Sequence, residues 1–393
     1  MALDIAAIQA ALREEGLDGW LLYDFHGSNP IARHIAGLAN GAKMTTRRWF
    51  YLVPAQGEPQ GLVHAIEPQT LDGLPGSKRK YAGREQLQAL LSELLMPLRR
   101  LAMEYSPGGA IPYLGRVDAG TVDGIRARGV EVVSSGDLVQ RFEACWDPAA
   151  IDSHRSASDR LYRIKDRTFA TIAERMERGI PTTEHDIQRL MVEWFSGEGL
   201  VSDSPPVVAV NANAGNPHYM PAAEGSAHVE ANDLVLIDLW GKLDRPGAVY
   251  ADITWMGYTG GSVPAEPAAA FAAIARARDT AVELVQAAAI HGTELRGWEV
   301  DRAARQVLQS AGYGSHILHR TGHSLGESVH GNGVHLDDYE THDDRRLLPG
   351  SGFTIEPGLY FDSFGVRTEI NMVFGSGEAA VTGPRQTQIL TLG

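Results

Sequence analysis

The sequence predicts an α/β domain followed by a larger α+β domain, on three observations. Its 393 residues exceed what one ordinary hydrophobic core accommodates. Short apolar strands alternate with amphipathic helices up to about residue 150. Beyond that point, two long charged helices precede a region rich in strands. We therefore expect an N-terminal domain at 1–150 and a C-terminal domain at 151–393.

The hydrophobic pattern places the elements of the first domain in order. It predicts a helix near 5–15, strands at 19–23, 49–53 and 99–104, a helix at 121–128, a strand at 130–133 and final elements around 135–143. The boundary is expected near Asp147-Pro148. After it, helices are predicted at about 151–177 and 183–196, the second beginning at a capping sequence.

Composition excludes several classes of function. The formal net charge is −14, whereas nucleic-acid and anionic-membrane binding require basic surfaces. Cys145 is the single cysteine, which rules out an intramolecular disulfide and indicates a cytoplasmic, reducing location. The N-terminal residues lack the apolar run of a signal peptide, and charged residues interrupt the alanine-rich stretch 267–291. No membrane association is expected.

Two aspartates stand in neighbouring strand patterns. Asp238 lies in the buried-strand pattern 232–240, where the period of two places it on the face of Leu234, Leu236 and Trp240. An aspartate alone would more often end a strand. Asp252 lies in a second strand at 249–254, so a hairpin would place both carboxylates side by side. Adjacent like charges are costly unless a cation lies between them.

Histidines and two glutamates complete the pattern. Residues 316–342 hold six of the 14 histidines. Any one imidazole is more often structural, but such density favours metal ligation or hydrogen bonding to a substrate. Glu356 ends one apolar strand at a Pro-Gly turn, and Glu369 begins another. Alone, each glutamate could be an edge-strand charge.

Together, Asp238, Asp252, His323, Glu356 and Glu369 predict a metal site. Four carboxylates, one imidazole and no thiolate favour two divalent ions, with Mn²⁺ expected and Co²⁺ or Zn²⁺ as alternatives. Two ions sharing carboxylates can activate water and polarise a carbonyl at the same time. The set therefore predicts a two-metal hydrolase.

These five residues, in their order and contexts, resemble those of the pita-bread metallopeptidases, which include prolidase, aminopeptidase P and methionine aminopeptidase. The resemblance covers about 150–393. A preceding domain of this length resembles the creatinase-type architecture of prolidase and aminopeptidase P. The resemblance of the five residues implies that Asp238 chelates one metal ion, that His323 and Glu356 bind the other, and that Asp252 and Glu369 bridge them.

The resemblance also implies the reaction. Metal-bound hydroxide would attack the amide bond before a C-terminal proline, with Glu356 as proton shuttle, and His330 would donate to the scissile carbonyl oxygen. His218 and His319 match further histidines beside the substrate. An arginine would bind the substrate carboxylate, and the candidates are Arg345, Arg346 and Arg367. For Arg367, the alternative is that it only neutralises the acidic site.

The function implied is an Xaa-Pro dipeptidase, or prolidase, acting as a homodimer on small peptides that end in or contain Xaa-Pro. The alternatives are aminopeptidase P, which acts on longer peptides, and a metal-free creatinase-like hydrolase or binding module. A metal-free creatinase-like hydrolase or binding module would be expected to have lost some of the metal ligands. All five candidate ligands are present in this chain, which counts against that alternative.

Some positions depart from the family pattern. The interval from Asp238 to Asp252 is 14 residues, because 252 − 238 = 14, and a loop insertion at 241–247 would account for it. Val249 stands where a tyrosine is usual. Gly331 and Ile370 stand where acidic residues often occur. The chain is therefore expected to form a distinct subgroup.

A serine-hydrolase alternative rests on Gly322-His-Ser324-Leu-Gly326, which fits the pattern of a nucleophile elbow. Such a serine should follow a buried strand and have an aspartate and then a histidine well downstream. His342, the last histidine, is only 18 residues away, because 342 − 324 = 18. The pattern is therefore weak.

Overall fold

A computed structural model describes residues 3–38 and 45–393. They form two compact units, one ending at Glu143 and the other beginning at Ala144. Asp147 caps the first helix of the second unit by accepting a hydrogen bond from Ala150 N at 2.8 Å. In the described residues, no helix combines the length and apolar character needed to cross a membrane.

The first unit consists of a mixed sheet and surrounding helices. Its strands are β1 (Gly19–Asp24), β2 (Trp49–Pro54), β3 (Gln60–His64), β4 (Ser77–Tyr81), β5 (Arg100–Met103) and β6 (Glu131–Ser134). Its helices are α1 (Ile5–Glu14), α2 (Pro30–Ile35), α3 (Arg84–Leu95), α4 (Ala119–Arg126) and α5 (Gly136–Val139).

The sheet of the first unit has the order β4-β3-β2-β1-β5-β6. All six residues of β1 are buried, as a central strand covered on both faces requires. Strands β1 and β2 pair antiparallel, whereas β5 pairs parallel with both β1 and β6. The helices and strands predicted for this part of the chain occur within about two residues of the expected ends.

The second unit begins with helices and continues into strands. Its helices are α6 (Pro148–Glu177), α7 (Glu184–Gly197), α8 (Ala265–His291) and α9 (Gly297–Ser310). Its strands are β7 (Leu200–Val201), β8 (Val207–Val210), β9 (Leu234–Leu243), β10 (Ala251–Tyr258), β11 (Gly352–Ile355), β12 (Gly358–Tyr360), β13 (Gly365–Arg367), β14 (Ile370–Phe374), β15 (Ala379–Val381) and β16 (Leu390–Thr391).

Strands β9 and β10 form the centre of the second unit. The main sheet has the order β16-β10-β9-β7, and β8 also pairs with β9. The period of two divides the residues of β9 between two cores. Ile237 and Leu239 face the cluster built on α6 and α7, and Leu236 faces the cluster built on α8 and α9. The opposing helices therefore fix the register of the central hairpin.

Two smaller sheets lie beside this hairpin in the same unit. One has the order β11-β14-β15, and the other consists of β12 and β13. In the first, Ile355 is paired with Ile370. Glu356 directly follows β11 and Glu369 directly precedes β14, so both glutamates lie at the same end of the β11-β14 pair.

Candidate metal centre

The β9-β10 hairpin places the two aspartates on one face. Asp238 is paired with Thr254, and Trp240 is paired with Asp252. The aspartates are thus two positions apart along the antiparallel register, which makes them diagonal neighbours on the same face. This is the arrangement expected from their spacing in the sequence.

Main-chain hydrogen bonds connect Glu369 to this hairpin and Glu356 to the segment that precedes His323. Glu369 N donates to Thr254 O at 3.2 Å, and Glu356 N donates to Thr321 O at 2.7 Å. Asn371 adds a side-chain connection, because its Oδ1 accepts from Asp252 N at 2.9 Å and its Nδ2 donates to Asp252 O. The segment of Glu369 is therefore held against the hairpin, and the segment of Glu356 is held against the residues that precede His323.

His323 reaches the carboxylates through close packing of its own segment on β11. Gly322 allows this approach, because a Cβ atom there would overlap the carbonyl oxygen of Thr354. Nδ1 of His323 lies 3.1 Å from Ser324 O and therefore holds the ring hydrogen. Nε2 lies 3.5 Å from Glu356 Oε1 and 3.6 Å from Asp252 Oδ2. These are too long for good hydrogen bonds and leave Nε2 available as a ligand.

The donor set fits hard divalent cations. Ligand atoms of Asp252, His323 and Glu369 all lie within 4.8 Å of one another. Three buried oxygens, Asp238 Oδ1, Asp252 Oδ1 and Glu369 Oε1, have no hydrogen-bond partner among the described residues. Unpaired buried carboxylate oxygens are costly, and a metal ion is the partner that removes this cost.

The electrostatics lead to the same conclusion. Burial and the nearby Asp238 raise the pKa of Asp252 well above its usual value. Burial and the nearby Asp252 do the same for Glu369. Carboxylates forced together in a buried site resist ionisation unless a cation compensates them. The arrangement is therefore one that divalent ions stabilise.

Arg367 is part of this site. One of its terminal nitrogens lies 2.5 Å from Asp238 Oδ2, and its Nε donates to Thr254 Oγ1 at 3.0 Å. The other terminal nitrogen donates to Tyr360 Oη at 3.1 Å. Arg367 thus partly neutralises the acidic cluster, which is the alternative to substrate binding that the sequence left open.

The structure brings His319 and His330 to the site in different ways. His319 Nε2 lies 2.6 Å from Tyr360 Oη, so it contacts the residue that Arg367 also contacts. The His330 ring centroid lies 4.4 Å from that of His323, and the side chain is partly open to solvent. Partial burial and the neighbouring His323 lower the pKa of His330 to about 4, so the ring is neutral at pH 7.

His218 is exposed, and buried Glu184 holds the segment that carries it. Glu184 accepts from Val210 N at 2.7 Å, Asn213 Nδ2 at 2.9 Å and Tyr219 Oη at 2.5 Å. It also accepts from two donors at residues 226 and 227. One carboxylate at the start of α7 therefore fixes both ends of the segment 211–227.

The other two candidate arginines lie in the segment before β11. Arg345 is buried and pairs with both carboxylate oxygens of Asp343, at 2.9 and 2.6 Å. It also donates to Asn332 O at 2.8 Å. Arg346 is half-buried, and its main chain forms a β-bridge with that of Arg296. The charge of Arg345 is thus already compensated within its own segment.

The geometry at Ser324 does not match a nucleophile elbow. Its side chain is 2% exposed, and Oγ accepts from Gly333 N at 3.0 Å. Its main-chain N donates to His335 Nδ1 at 3.1 Å, so that this nitrogen of His335 contacts the backbone and not the hydroxyl. A nucleophile must be presented to the substrate. Ser324 instead supports the turn after His323.

The sequence analysis did not identify several polar residues that contact the ligands or Arg367. These are Thr254, Thr354, Tyr360 and Asn371. Three of them lie two positions from a ligand, as Arg367 does, so the period of two puts them on the ligand face. This spacing of two residues from a ligand is the signal in the sequence that could have identified them. Thr254 Oγ1, for example, donates to Glu369 Oε2 at 2.7 Å.

Comparison with known proteins identifies the family. The model of metallopeptidase family M24 matches residues 157–375, which is more than half of the chain. The chain therefore belongs to metallopeptidase family M24, and the predicted class of metal-dependent hydrolase is confirmed.

Two relatives show how far the similarity extends. The probable dipeptidase PepE of Mycobacterium tuberculosis is 28% identical over 257 residues, which are 65% of this chain and 62% of that protein. The Xaa-Pro dipeptidase of Lactobacillus delbrueckii subsp. lactis is 34% identical over 164 residues, which are 42% and 40% of the two chains. The chain thus aligns with less than two thirds of the length of either relative.

Solved structures share the fold across nearly the whole chain. Dipeptidase PepE from Mycobacterium ulcerans has a TM-score of 0.70 at 23% identity, covering 99% of this chain and 96% of that one. Prolidase from Thermococcus sibiricus has a TM-score of 0.59 at 21% identity, covering 98% of each chain. These similarities confirm the expected fold, an α/β domain followed by an α+β pita-bread domain.

Proposed function

We propose that this chain is a two-metal Xaa-Pro dipeptidase. The observation that carries the proposal is the convergence of four carboxylates and one imidazole, in which three buried carboxylate oxygens have no hydrogen-bond partner within residues 3–38 and 45–393. The relatives named as dipeptidases and Xaa-Pro dipeptidases support the substrate class. The assignment of catalytic residues to 151–393 and of a creatinase-type domain to 1–150 is part of the proposal.

The five ligands would divide between two metal positions. By the family resemblance, Asp252 and Glu369 would be shared by both positions, Asp238 would serve one position, and His323 with Glu356 would serve the other. Two divalent ions, with Mn²⁺ preferred, would acidify a water molecule and polarise the scissile carbonyl. Proton transfer and substrate orientation are then left to side chains of this chain.

Two side chains would act on the substrate directly. Glu356 would take a proton from the attacking water and return it to the leaving nitrogen, and Thr354 Oγ1, at 3.1 Å, keeps its Oε1 oriented. Neutral His330 has a single ring N–H, which would donate to the carbonyl oxygen as charge develops there. We place His218 and His319 as positioning residues near the substrate.

The preference for a dipeptide is the finer part of the proposal. A C-terminal carboxylate requires a cation, and Arg345, Arg346 and Arg367 remain the candidates. Because Arg345 pairs with Asp343 and Arg367 with Asp238, a dedicated clamp is less evident than the sequence suggested. This observation keeps an Xaa-Pro aminopeptidase as the second candidate function.

The first experiment compares peptides with metal-stripped enzyme. Hydrolysis of Ala-Pro, Ala-Pro-Ala and Ala-Ala is measured with and without added Mn²⁺, and bound metal is counted by elemental analysis. We expect two ions per chain and Mn²⁺-dependent cleavage of Ala-Pro alone. Cleavage of Ala-Pro-Ala would favour the aminopeptidase, and faster cleavage of Ala-Ala would contradict proline specificity.

A matched pair of variants links the activity to the site. Asp252→Asn removes a bridging carboxylate, whereas Asp244→Asn makes the same change at an exposed position of the same hairpin. We expect Asp252→Asn to lose both metal binding and hydrolysis, and Asp244→Asn to retain both. Retained hydrolysis in metal-free Asp252→Asn would favour a metal-free hydrolase.

We also propose that the enzyme is a cytoplasmic homodimer. The resemblance to prolidases supports the dimer, and the single cysteine, Cys145, supports a reducing compartment. Sedimentation of the purified chain tests the first point, because a monomer at all concentrations would contradict it.

A further inference from the structure

A cavity of about 500 Å³ lies within the first unit, at the edge of its sheet. Strands β1 and β5 are adjacent and parallel, so their carboxyl ends lie at the same edge. Helix α2 follows β1 and packs on one face of the sheet through Ile31, whereas α4 follows β5 and packs on the other through Val122. In α/β sheets, ligands commonly bind where successive connections leave to opposite faces in this way, and the volume suits a small molecule.

A fixed loop after β1 contributes an aromatic ring to the cavity. Phe25 lines it and is 45% exposed. Buried Asp24 holds the loop by accepting from Gly27 N at 3.3 Å and from Asn29 N at 3.0 Å. His26, between Phe25 and Gly27, has a φ of 60°, which is uncommon for a residue with a side chain. Such strain persists where the surrounding structure enforces it, so the ring is held in place before any ligand binds.

Two arginines line the cavity without an acidic partner. Arg128 donates from Nε to Ser92 Oγ at 3.1 Å and from its terminal nitrogens to oxygens of Gly124 and Gln88, all of them neutral acceptors. The guanidinium group of Arg48 is exposed and makes no hydrogen bond to another described residue. Within residues 3–38 and 45–393, no carboxylate lies at ion-pair distance from either arginine. Both positive charges therefore remain to be compensated.

The carboxylate of Asp118 also lines the cavity, but it already has three donors. It caps α4 by accepting from Thr121 N at 2.8 Å and from Thr121 Oγ1 at 2.7 Å, and it accepts from Tyr23 Oη at 3.0 Å. The lining thus carries two positive charges and one negative charge. A ligand with a single negative charge balances it, whereas a phosphate dianion would add repulsion with Asp118.

The remaining wall is apolar and has space beside it. The rings of Tyr23 and Phe50 lie 4.9 Å apart, and both line the cavity. Gly124 lies inside α4, where glycine disfavours the helix relative to alanine. No neighbour requires a glycine there, because a Cβ atom would meet only Arg128 Nη1, at 3.8 Å. The missing side chain keeps this part of the cavity open for a flat apolar group.

We propose that the cavity binds a small aromatic monocarboxylate. Its carboxylate compensates the arginines, and its ring packs on the aromatic wall. All the residues concerned lie in the first unit, so the inference does not depend on the proposed peptidase function. The alternative is that Arg48 and Arg128 interact only with solvent.

Two probes of the same shape and opposite charge test the ligand class. 3-Phenylpropionate has the ring and the carboxylate, and phenethylamine has the same ring and linker with an ammonium group instead. Isothermal titration calorimetry measures the binding of each to the Mn²⁺-loaded full chain. We expect a Kd of about 1 mM for 3-phenylpropionate, as for an anion of this size, and binding of phenethylamine at least about tenfold weaker.

A matched pair of arginine variants tests the location. Arg48→Gln removes a charge from the lining, whereas Arg47→Gln makes the same change at the preceding exposed arginine, which lies outside the lining. We expect the Kd of 3-phenylpropionate to rise about tenfold in Arg48→Gln, as for loss of one charge-assisted contact, and less than about twofold in Arg47→Gln.

A third variant, Gly124→Leu, fills the space beside α4 and should abolish binding. Leucine favours a helix more than glycine does, so the Tm should not fall. Thermal unfolding checks that this variant is folded. If it is not, the exposed position of Arg48 keeps the arginine pair decisive.

Four outcomes would overturn the inference. Phenethylamine binding as tightly as 3-phenylpropionate would exclude an anion site, and no binding of 3-phenylpropionate up to about 10 mM would exclude a site of this class. Equal weakening in Arg47→Gln and Arg48→Gln would indicate unspecific attraction. Unchanged binding in both Arg48→Gln and folded Gly124→Leu would place the ligand elsewhere, including at the candidate metal centre. Loss of the peptidase assignment would leave the inference standing.

Discussion

The hydroxyl of Tyr360 donates its hydrogen to Nε2 of His319, with 2.6 Å between the two atoms. The direction follows because Nδ1 of His319 lies 2.7 Å from Arg320 O and must hold the ring hydrogen. Tyr360 also accepts from Arg367, which pairs with Asp238. A continuous chain of hydrogen bonds thus connects His319 to a candidate metal ligand.

The first prediction concerns this chain. His319→Gln and Tyr360→Phe should each lower kcat/KM about tenfold, since each leaves Arg367 less well held. Because both changes break the same connection, the double variant should be little worse than either single one. Steady-state kinetics of the four proteins measure this coupling, and additive losses would mean that His319 acts on the substrate independently of Tyr360.

The second prediction compares two buried arginine–aspartate pairs. Arg367→Met should destabilise the metal-free protein by about 3–5 kcal/mol, because it leaves Asp238 uncompensated. Mn²⁺ should reduce this loss, since the ions supply the missing positive charge. Arg345→Met breaks the pair with Asp343 instead, and its loss should be the same with and without Mn²⁺. Denaturant unfolding of both variants in both conditions provides the test, and equal behaviour would contradict a metal-site role for Arg367.

The third prediction concerns Glu184 and the segment that carries His218. Glu184→Gln replaces an acceptor of several hydrogen bonds by an amide that cannot accept them all, so the segment 211–227 should lose its position. We expect kcat/KM for Ala-Pro to fall about tenfold. Asp186→Asn is the control, because Asp186 caps the same helix through Thr183. It should cost about 1 kcal/mol of stability and leave the kinetics unchanged.

The fourth prediction concerns pH and the metal-free protein. The pKa of Glu369 is raised in the folded state, so folding favours its protonated form. Its contribution to stability is present below the ordinary glutamate pKa of about 4.3 and is lost as pH rises through the raised folded value. Glu369→Gln cannot titrate.

The free energy of unfolding of wild type should therefore fall relative to that of Glu369→Gln as pH increases from about 4 to neutrality. Denaturant unfolding of both proteins in the presence of a chelator measures the difference. A difference that stays constant with pH would show that Glu369 is not perturbed. With added Mn²⁺ at pH 7, wild type should have a larger free energy of unfolding than Glu369→Gln, because wild type retains the complete ligand set.

The sequence predicted the parts of the site that depend on local periodicity. The strand pattern around Asp238 and Asp252 indicated both the face and the hairpin, because side chains alternate strictly along a strand. Contacts between distant segments were beyond that reasoning. Nothing local shows that Arg367 pairs with Asp238 or that the Nε2 atom of His319 accepts from Tyr360.

Glu184 shows the same limit. It is an ordinary acidic residue in the sequence, in the first turn of a helix. Its importance in the structure comes from the segment 211–227, whose position depends on how the sheet packs. Periodicity predicts which face a residue occupies, whereas the partner on that face is set by tertiary structure.

The ligands of the candidate metal centre are spread along the chain from Asp238 to Glu369, and only the packed sheets bring them together. An unfolded or partly collapsed chain therefore offers the ions no preformed binding site, and closing loops of this length precedes any gain from coordination. Metal binding should then leave the rate of refolding nearly unchanged and slow the rate of unfolding. The ions would therefore bind only after folding, and by slowing unfolding they would prolong the lifetime of the native enzyme.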